Sequence, residues 1–251
     1  MTRPMLNLLT IGVALAAVLS AGAALGQNVQ TLKPRFELQV LLNNKPAGTE
    51  ILRSAKGAEA NYYSSEAKLK DKVNKVWREF KQRSHVQLTT AGEVSSYDRW
   101  IDVSGATQGT KLFNLEGKWR IAVTEPAFEG KKPKPKITDV KAAQPLVVLD
   151  ERLPSLVFVA AERMEKETAC DFVRIDNGTF GKLAISTERL ADAKGAKFVR
   201  QRLKGDKVDV WVLKDAADKV VAIQGLDGWS ALAVGAKLPG ELKVDEDGAG
   251  K

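Results

Sequence analysis

The feature that most constrains the fold is an alternation of apolar and polar side chains with a period of two residues. It recurs in short segments along the chain, most clearly over residues 36–42, 172–175 and 208–213. Such alternation is typical of β-strands that bury one face. About ten segments of this kind are joined by turn-forming residues, without the regular strand–helix alternation of a parallel α/β protein. The pattern therefore predicts a mainly β fold: a curved antiparallel sheet or an open β-barrel with one or two short helices.

Turn-forming residues indicate where the strands connect. Asn177-Gly178 lies between two apolar runs, which is the strongest short-range signal for a β-hairpin. Residues 116–117 and 204–206 separate further pairs of alternating segments in the same way. The apolar residues that follow Pro154 predict one short helix over residues 155–164.

Residues 59–90 fit two kinds of secondary structure. Their apolar residues fall at helical spacing, as Leu69, Val73 and Phe80 illustrate. Tyr62-Tyr63 and residues 86–90 instead favour strands by their β propensity. Residues 91–93 have the composition of a tight reversal. We predict a long hairpin over residues 60–103 and keep a helix as the alternative.

The N-terminal residues have the pattern of a secretory signal peptide. Arg3 provides a positive start, residues 5–19 form an apolar run, and Ala24 and Gly26 are the small residues expected before a cleavage site. An uncleaved anchor is the alternative, because the run approaches the roughly 20 residues that span a bilayer. We predict a signal peptide over residues 1–26, and hence a periplasmic or secreted protein without a transmembrane anchor.

Composition divides the rest of the chain into four parts. Residues 27–125 form an N-terminal antiparallel β half, and residues 146–240 form a C-terminal half with the short helix followed by hairpins. Residues 126–145 between them are rich in Pro and Lys, which oppose a packed core, so we predict an extended linker or exposed loop. The charged and Gly-rich residues 241–251 predict a disordered tail.

The inventory of reactive residues argues against an enzyme. The chain has one Cys, Cys170, and one His, His85, whereas zinc sites need clusters of these residues. The sequence contains no Gly-x-Ser-x-Gly elbow, no glycine-rich phosphate loop and no calcium-loop spacing of carboxylates. A hydrolase that uses Asp98 and Asp102, or His85, is the remaining enzymatic hypothesis. We predict a protein without catalytic residues, metal or cofactor.

The tryptophans suggest a binding surface. Five of the sixteen aromatic residues are Trp, and the Trp lie in or beside predicted strands. Packing within the core is one explanation. The other is a concave apolar surface that receives a lipid, an acyl chain or a sugar. For that surface we predict ligand contacts from Trp77, Trp100, Trp119 and Trp211.

The charge of the chain suggests a second kind of partner. There are 39 Lys and Arg against 31 Asp and Glu, a formal net charge of +8. The densest basic cluster consists of Lys131, Lys132, Lys134 and Lys136. In an exported protein we expect such a cluster to bind an anionic polymer or an envelope protein, and we expect no nucleic acid. A solvated surface without a partner is the alternative.

Several features together resemble a known group of proteins. They are Gly48-Thr49 in an early hairpin, residues 92–94 with Tyr97, residues 117–119, and residues 208–213 turning into 220–223. In this order they resemble exported bacterial β proteins of unknown function, which are similar to the open barrels of periplasmic lipoprotein carriers. The resemblance implies a curved sheet around an apolar cavity, with residues 146–164 covering its mouth. It implies no individual binding residue.

The sequence therefore leads to two functional expectations. The first is an exported, non-enzymatic β protein that binds a lipid or another amphiphile in a concave sheet. The alternative is an envelope structural or interaction module that binds a protein or an anionic polymer through basic patches.

Overall fold

The computed structural model describes residues 32–73, 76–103, 105–125, 135–165, 167–237 and 239–244. These residues form sixteen β-strands and one α-helix, α1 (Ser155–Arg163). The strands are β1 (Lys33–Leu42), β2 (Lys45–Lys56), β3 (Ala60–Val73), β4 (Val76–Thr89), β5 (Val94–Val103), β6 (Ala106–Leu115), β7 (Lys118–Thr124), β8 (Lys136–Val140), β9 (Leu146–Leu149), β10 (Ala169–Arg174), β11 (Phe180–Asp192), β12 (Lys197–Lys204), β13 (Asp209–Asp215), β14 (Val220–Gln224), β15 (Trp229–Ala233) and β16 (Leu242–Val244).

The sixteen strands form one open sheet. Its order is β8-β7-β6-β5-β4-β3-β2-β1-β15-β14-β13-β12-β11-β10-β9, and β16 pairs with β11. The first described strand, β1, lies in the middle of the sheet. From there the strands follow one another to the edge at β8, and the chain then crosses to the other edge at β9 and returns until β15 pairs with β1. The pairs are antiparallel except for β9 and β10, which are parallel. The two predicted halves of the chain therefore share a single sheet.

The sheet curves so strongly that its two ends approach each other. Leu112 of β6 and Ile121 of β7 belong to the same buried apolar cluster as Leu146 and Val148 of edge strand β9. A second cluster joins inward side chains of β1, β2 and β10–β14 to α1. Burial of these side chains is the main stabilising term of the fold. We call the inward surface the concave face and the opposite surface the outer face.

The helix α1 lies against the concave face. Its residues from Ser155 to Ala161 are all buried, and its main neighbours are β9 and β12–β14. A helix that is apolar on all sides is typical of a buried position. The predicted short helix over residues 155–164 is confirmed. This helix occupies space that the curved sheet surrounds.

The predicted mainly β fold with a curved sheet is confirmed, and three details of the prediction are wrong. Residues 60–103 form three strands, because the chain reverses where Val73 pairs with Val76. The predicted linker over residues 126–145 contains strand β8. The Ile, Thr and Val residues of β8 favour an extended backbone, and the strand itself contains no proline. The predicted tail contains strand β16, because residues 242–244 pair with β11.

Some predictions concern other parts of the chain. The signal peptide over residues 1–26, most of the basic cluster and the last seven residues lie outside the described residues. Within the described ranges, no helix combines the length and the apolar composition needed to cross a membrane.

Candidate functional site

The first turn of α1 is held by a carboxylate from another strand. The backbone N–H of Ser155 donates to Glu50 Oε2 of β2 at 3.2 Å, and the Ser155 hydroxyl donates to Glu50 Oε1. The first N–H groups of a helix have no partner within the helix, and a negative charge there is favourable. The first turn of α1 has no acidic residue of its own. Glu50 therefore acts as a cap that ties the start of α1 to the concave face.

Glu50 is an unusual carboxylate because it is fully buried without a cation. Its third hydrogen bond comes from the hydroxyl of Ser65 on β3, and no described Lys, Arg or His forms an ion pair with it. Burial raises the pKa of Glu50 to about 7, although the hydrogen bonds from Ser155 and Ser65 oppose that rise. Glu50 therefore changes charge near neutral pH.

A second buried carboxylate, Asp150, fastens the segment between β9 and α1. Asp150 Oδ2 accepts hydrogen bonds from Gln82 Nε2 at 3.1 Å, the Tyr97 hydroxyl at 3.0 Å and Arg99 Nη1 at 3.1 Å. Arg99 also donates to Thr110 Oγ1 at 3.0 Å. Burial and the nearby charge of Asp150 raise the pKa of Tyr97 well above its usual range. The cluster joins the end of β9 to β4, β5 and β6.

The last turn of α1 is held by a separate set of polar contacts. Glu162 accepts from Arg35 Nη2 on β1 at 2.9 Å and from the Tyr63 hydroxyl on β3 at 2.9 Å. Arg163 donates to the carbonyl oxygens of Gly92 and Leu146. The strands that hold these partners mostly lie in the first half of the sheet, whereas the apolar neighbours of α1 lie mostly in the second half. The helix therefore bridges the two halves.

A pocket of about 540 Å³ opens beside the last turns of α1. Phe158 of α1 and Phe36 of β1 line it and pack edge to face, with ring centroids 4.9 Å apart. The Arg35 guanidinium and the Lys214 ammonium lie 5.4 Å and 5.9 Å from the centroid of the Phe158 ring. We call this the Phe158 pocket. It combines an apolar wall with a rim of ion-paired side chains, in which Arg35 is paired with Glu162 and Lys214 with Asp218.

A groove of about 910 Å³ crosses the outer face of β2–β5. Its polar side chains include Lys68, Lys70 and Lys81, and residues 234–235 border it on one side. We call it the lysine groove. Val234 lines both the lysine groove and the Phe158 pocket, so the two sites are neighbours on opposite faces of the sheet.

The structure separates the three predicted tryptophans whose side chains it describes. Trp119 is buried in the first apolar cluster on the concave face. Trp100 alternates with the inward residues Arg99 and Ile101 and lies on the outer face, where its ring contacts His85. Trp211 packs in a third cluster with Leu213, on the opposite face from Val210. The side chain of Trp77 lies outside the described residues. These positions give no shared surface formed by Trp100, Trp119 and Trp211.

The predicted basic cluster is described at one residue only. Lys136 begins edge strand β8 and is exposed, whereas Lys131, Lys132 and Lys134 lie outside the described residues. Binding of an anionic polymer through this cluster stays a prediction.

The acidic residues of the hydrolase hypothesis have ordinary partners. Asp98 lies opposite His85 on one side and Lys111 on the other, and Lys111 Nζ is 3.2 Å from its Oδ1. Asp102 Oδ1 accepts the backbone N–H of Gly105. Burial lowers the pKa of His85. These contacts account for both carboxylates as members of a sheet surface and the turn beside it.

Cys170 is a buried core residue of β10. Its exposed fraction is 4%, and burial raises the pKa of its thiol to about 11. It shares the second apolar cluster with residues of α1. As the one thiol of the chain, Cys170 can report on the position of the helix.

Sequence reasoning missed the residues that hold α1. Glu50 has the same parity as the buried Leu52 on β2, so a carboxylate at a core position was a signal that could have been read. Asp150 follows the wholly apolar strand β9, which is a similar signal. Their partners on other elements lie 15 to 105 residues away in the sequence, and no local pattern predicts them.

Neither a search for metal-binding groups nor comparison with known proteins assigns a function to the site. Among the described residues, no three His, Cys, Asp or Glu side chains are grouped so that they could hold a metal ion. Comparisons with protein-family models, with curated proteins and with solved structures found no match for this chain.

Proposed function

We propose that the protein binds an anionic amphiphile, whose apolar chain takes the place of α1 on the concave face. The observation that carries the proposal is the Phe158 pocket, where a side chain of the buried helix meets an opening whose rim holds the exchangeable ion pairs Arg35–Glu162 and Lys214–Asp218. A site for an amphiphile needs an apolar wall continuous with a polar or charged rim. The Phe158 pocket has both and leads directly to α1.

The helix has the properties of a displaceable occupant. Its first and last turns are tied to the first half of the sheet by polar contacts of Glu50, Glu162 and Arg163. Each such contact contributes about 1–3 kcal/mol. An alkyl chain that buries about ten methylene groups gains roughly 8 kcal/mol. This gain stands against the apolar burial that residues 156–161 lose on displacement as well as against the polar contacts.

The charge of the head group couples binding to release of the helix. Arg35 holds Glu162 in an ion pair at 2.9 Å. An anionic head group in the pocket competes with Glu162 for this guanidinium. Once Arg35 turns to the ligand, the last turn of α1 loses one of its anchors. An uncharged head group offers no such exchange, so we expect a preference for anionic amphiphiles.

The proposal belongs with an exported, non-enzymatic protein. The residue pattern over positions 1–26 supports export, and a carrier or scaffold that binds an amphiphile needs no catalytic group. The fold, a curved sheet around apolar side chains, is of a kind suited to this role.

The thiol of Cys170 tests the proposal. With α1 in place the thiol is buried, and we expect slow reaction with a thiol-specific reagent. Dodecanoate, kept below its micelle concentration, should accelerate the reaction with saturation. The uncharged amphiphile dodecyl maltoside should act only at much higher concentration. Circular dichroism in the same samples confirms that the sheet persists.

Matched variants define the site. Arg35→Gln should weaken the effect of dodecanoate by about tenfold, as expected for loss of a charge-assisted contact. Lys118→Gln removes one positive charge from an exposed residue of β7, outside the Phe158 pocket, and should leave the effect unchanged. If dodecanoate does not accelerate labelling, or does so equally in both variants, the proposal is wrong.

A further inference from the structure

The lysine groove contains a row of polar side chains that cross-strand pairing places side by side. Gln39 of β1 pairs with Thr49 of β2, Thr49 with Lys68 of β3, Lys68 with Lys81 of β4, and Lys81 with Asp102 of β5. All five line the groove. Four neighbouring strands therefore present hydrogen-bond donors, and the fifth presents a carboxylate.

The centre of this row carries two like charges, with the Asp102 carboxylate on the strand next to Lys81. Lys68 and Lys81 face each other directly, and opposed like charges on a sheet are unfavourable. Among the described residues, neither Nζ forms an ion pair. Nearby Lys70 differs, because its Nζ lies 3.0 Å from Glu79 Oε1. An anion between Lys68 and Lys81 would turn the repulsion into two charge-assisted hydrogen bonds.

The close approach of β2 to β3 beside the groove depends on Gly48. At this position β2 has a register shift against β1, and the φ angle of Gly48 is +153°. A Cβ atom there would lie 1.9 Å from the carbonyl oxygen of Lys68. Only a glycine lets β2 approach β3 this closely, and such irregularities increase the local bend of a sheet.

We infer that the lysine groove binds a phosphate group carried on an apolar moiety. A phosphate monoester has up to two negative charges and three acceptor oxygens. It can accept from both lysines and from the Thr49 hydroxyl at once, which a planar carboxylate cannot do as fully. The side chain of Val234, which is 62% exposed, gives the groove an apolar border for the rest of the ligand. The site lies on the outer face and does not depend on the function proposed for α1.

Binding of three phosphate probes to the full chain tests the inference. We expect phenyl phosphate to bind at least about tenfold more tightly than inorganic phosphate, because the apolar border adds contact. Phosphatidic acid vesicles show whether a lipid head group also fits the groove. If phenyl phosphate binds and phosphatidic acid vesicles do not, the ligands of the groove are soluble phosphate esters. If phenyl phosphate and the vesicles both bind, the ligands include lipid head groups. If neither binds, the inference is overturned.

Charge-matched variants distinguish specific binding in the groove from general attraction to the net positive charge of the protein. The double variant Lys68→Gln/Lys81→Gln should weaken binding of phenyl phosphate by at least about tenfold. The control Lys118→Gln/Lys204→Gln removes the same charge from exposed residues outside the groove and should change binding by less than about twofold. Equal weakening in both variants overturns the inference.

Thermal unfolding gives an independent readout. In the absence of phosphate, Lys68→Gln should raise the melting temperature, because it relieves repulsion in the row. Phenyl phosphate should raise the melting temperature of the native chain and leave that of the double variant unchanged. A double variant that is still stabilised by the ligand contradicts the assignment. The labelling of Cys170 in response to dodecanoate should be the same in the double variant and the native chain.

Discussion

Two buried carboxylates flank the start of α1, and they are satisfied in different ways. Asp150 accepts hydrogen bonds from an arginine, a tyrosine and a glutamine, and its ion pair with Arg99 leaves the carboxylate 0% and the guanidinium 6% exposed. Glu50 has only two serine hydroxyls and one backbone N–H. The charge of Asp150 is compensated by a cation, whereas the charge of Glu50 is compensated by dipoles alone.

The difference shows that the contacts of Asp150 keep their charge state, whereas those of Glu50 can change with protonation. Removing one partner of a buried ion pair leaves an uncompensated charge, so the cluster around Asp150 resists any change. Glu50 can take up a proton near neutral pH and become an uncharged hydrogen-bonding group at no such cost. The segment before α1 is therefore fixed to the sheet by Asp150, while the contact at the first turn of the helix depends on the charge of Glu50.

The largest expected effect comes from Asp150→Asn. The substitution keeps the shape of the side chain and leaves Arg99 buried without a counterion. We expect the free energy of unfolding to fall by about 3–5 kcal/mol, measured by urea denaturation. The control is Asp139→Asn, which removes the carboxylate of an exposed ion pair with Arg120. Its effect should stay below about 1 kcal/mol. Similar losses in the two variants would contradict the role given to Asp150.

The second effect is a dependence of stability on pH through Glu50. Burial in the folded protein raises the pKa of the Glu50 carboxyl from its ordinary value of 4.5 to about 7. Between these values the folded state binds a proton that the unfolded chain has released, so stability falls as pH rises through this window and then levels off. A difference of this size corresponds to about 3 kcal/mol.

The variant Glu50→Gln isolates this contribution. Two other residues also make stability depend on pH. The pKa of His85 is lowered by burial, so its contribution to the stability of the protein falls as pH falls, opposite to that of Glu50. The pKa of Glu151 is raised by burial, so its contribution falls as pH rises, as that of Glu50 does. Both remain in the variant, so the difference between the two stability curves belongs to Glu50. We expect the free energy of unfolding of the variant not to show the decrease between pH 4.5 and about 7 that Glu50 causes in the native chain. Parallel curves for the variant and the native chain would show that Glu50 does not titrate there.

The smallest effect concerns the last turn of α1. Glu162→Gln removes the ion pair with Arg35, which is partly exposed, and weakens the contact with Tyr63. We expect a loss of about 1 kcal/mol in the docking of the helix, and hence about fivefold faster labelling of Cys170. The free energy of global unfolding should change less than in Asp150→Asn. Unchanged labelling would indicate that Glu162 does not hold the helix in place.

The sequence predicts the fold class because alternation is a local property. Residues 172–175 and Asn177-Gly178 define a hairpin between β10 and β11 without reference to the rest of the chain, and the structure has it. The short helix after Pro154 is equally local. The reversal between Val73 and Val76 was missed because the apolar residues on both sides continue one pattern. Strand β8 was missed because the composition of the preceding residues dominates its surroundings.

The candidate sites could be predicted only in part. Glu50 and Asp150 stand out as charges at apolar positions, but the sequence does not say that Ser155 and Arg99 meet them. The row from Gln39 to Asp102 exists only because five strands pair in one register. The tryptophans suggested a shared surface, yet alternation places Trp119 on the concave face and Trp100 on the outer face. Long-range pairing decides all of these outcomes.

Hydrogen exchange of α1 tests the central claim, that the helix is a displaceable occupant of the concave face. The measurement follows the backbone amides of α1 and of β5 in the full chain, with and without dodecanoate below its micelle concentration. We predict that dodecanoate increases exchange in α1 while β5 keeps its protection. Unchanged exchange in α1, or an equal increase in both elements, would contradict the account.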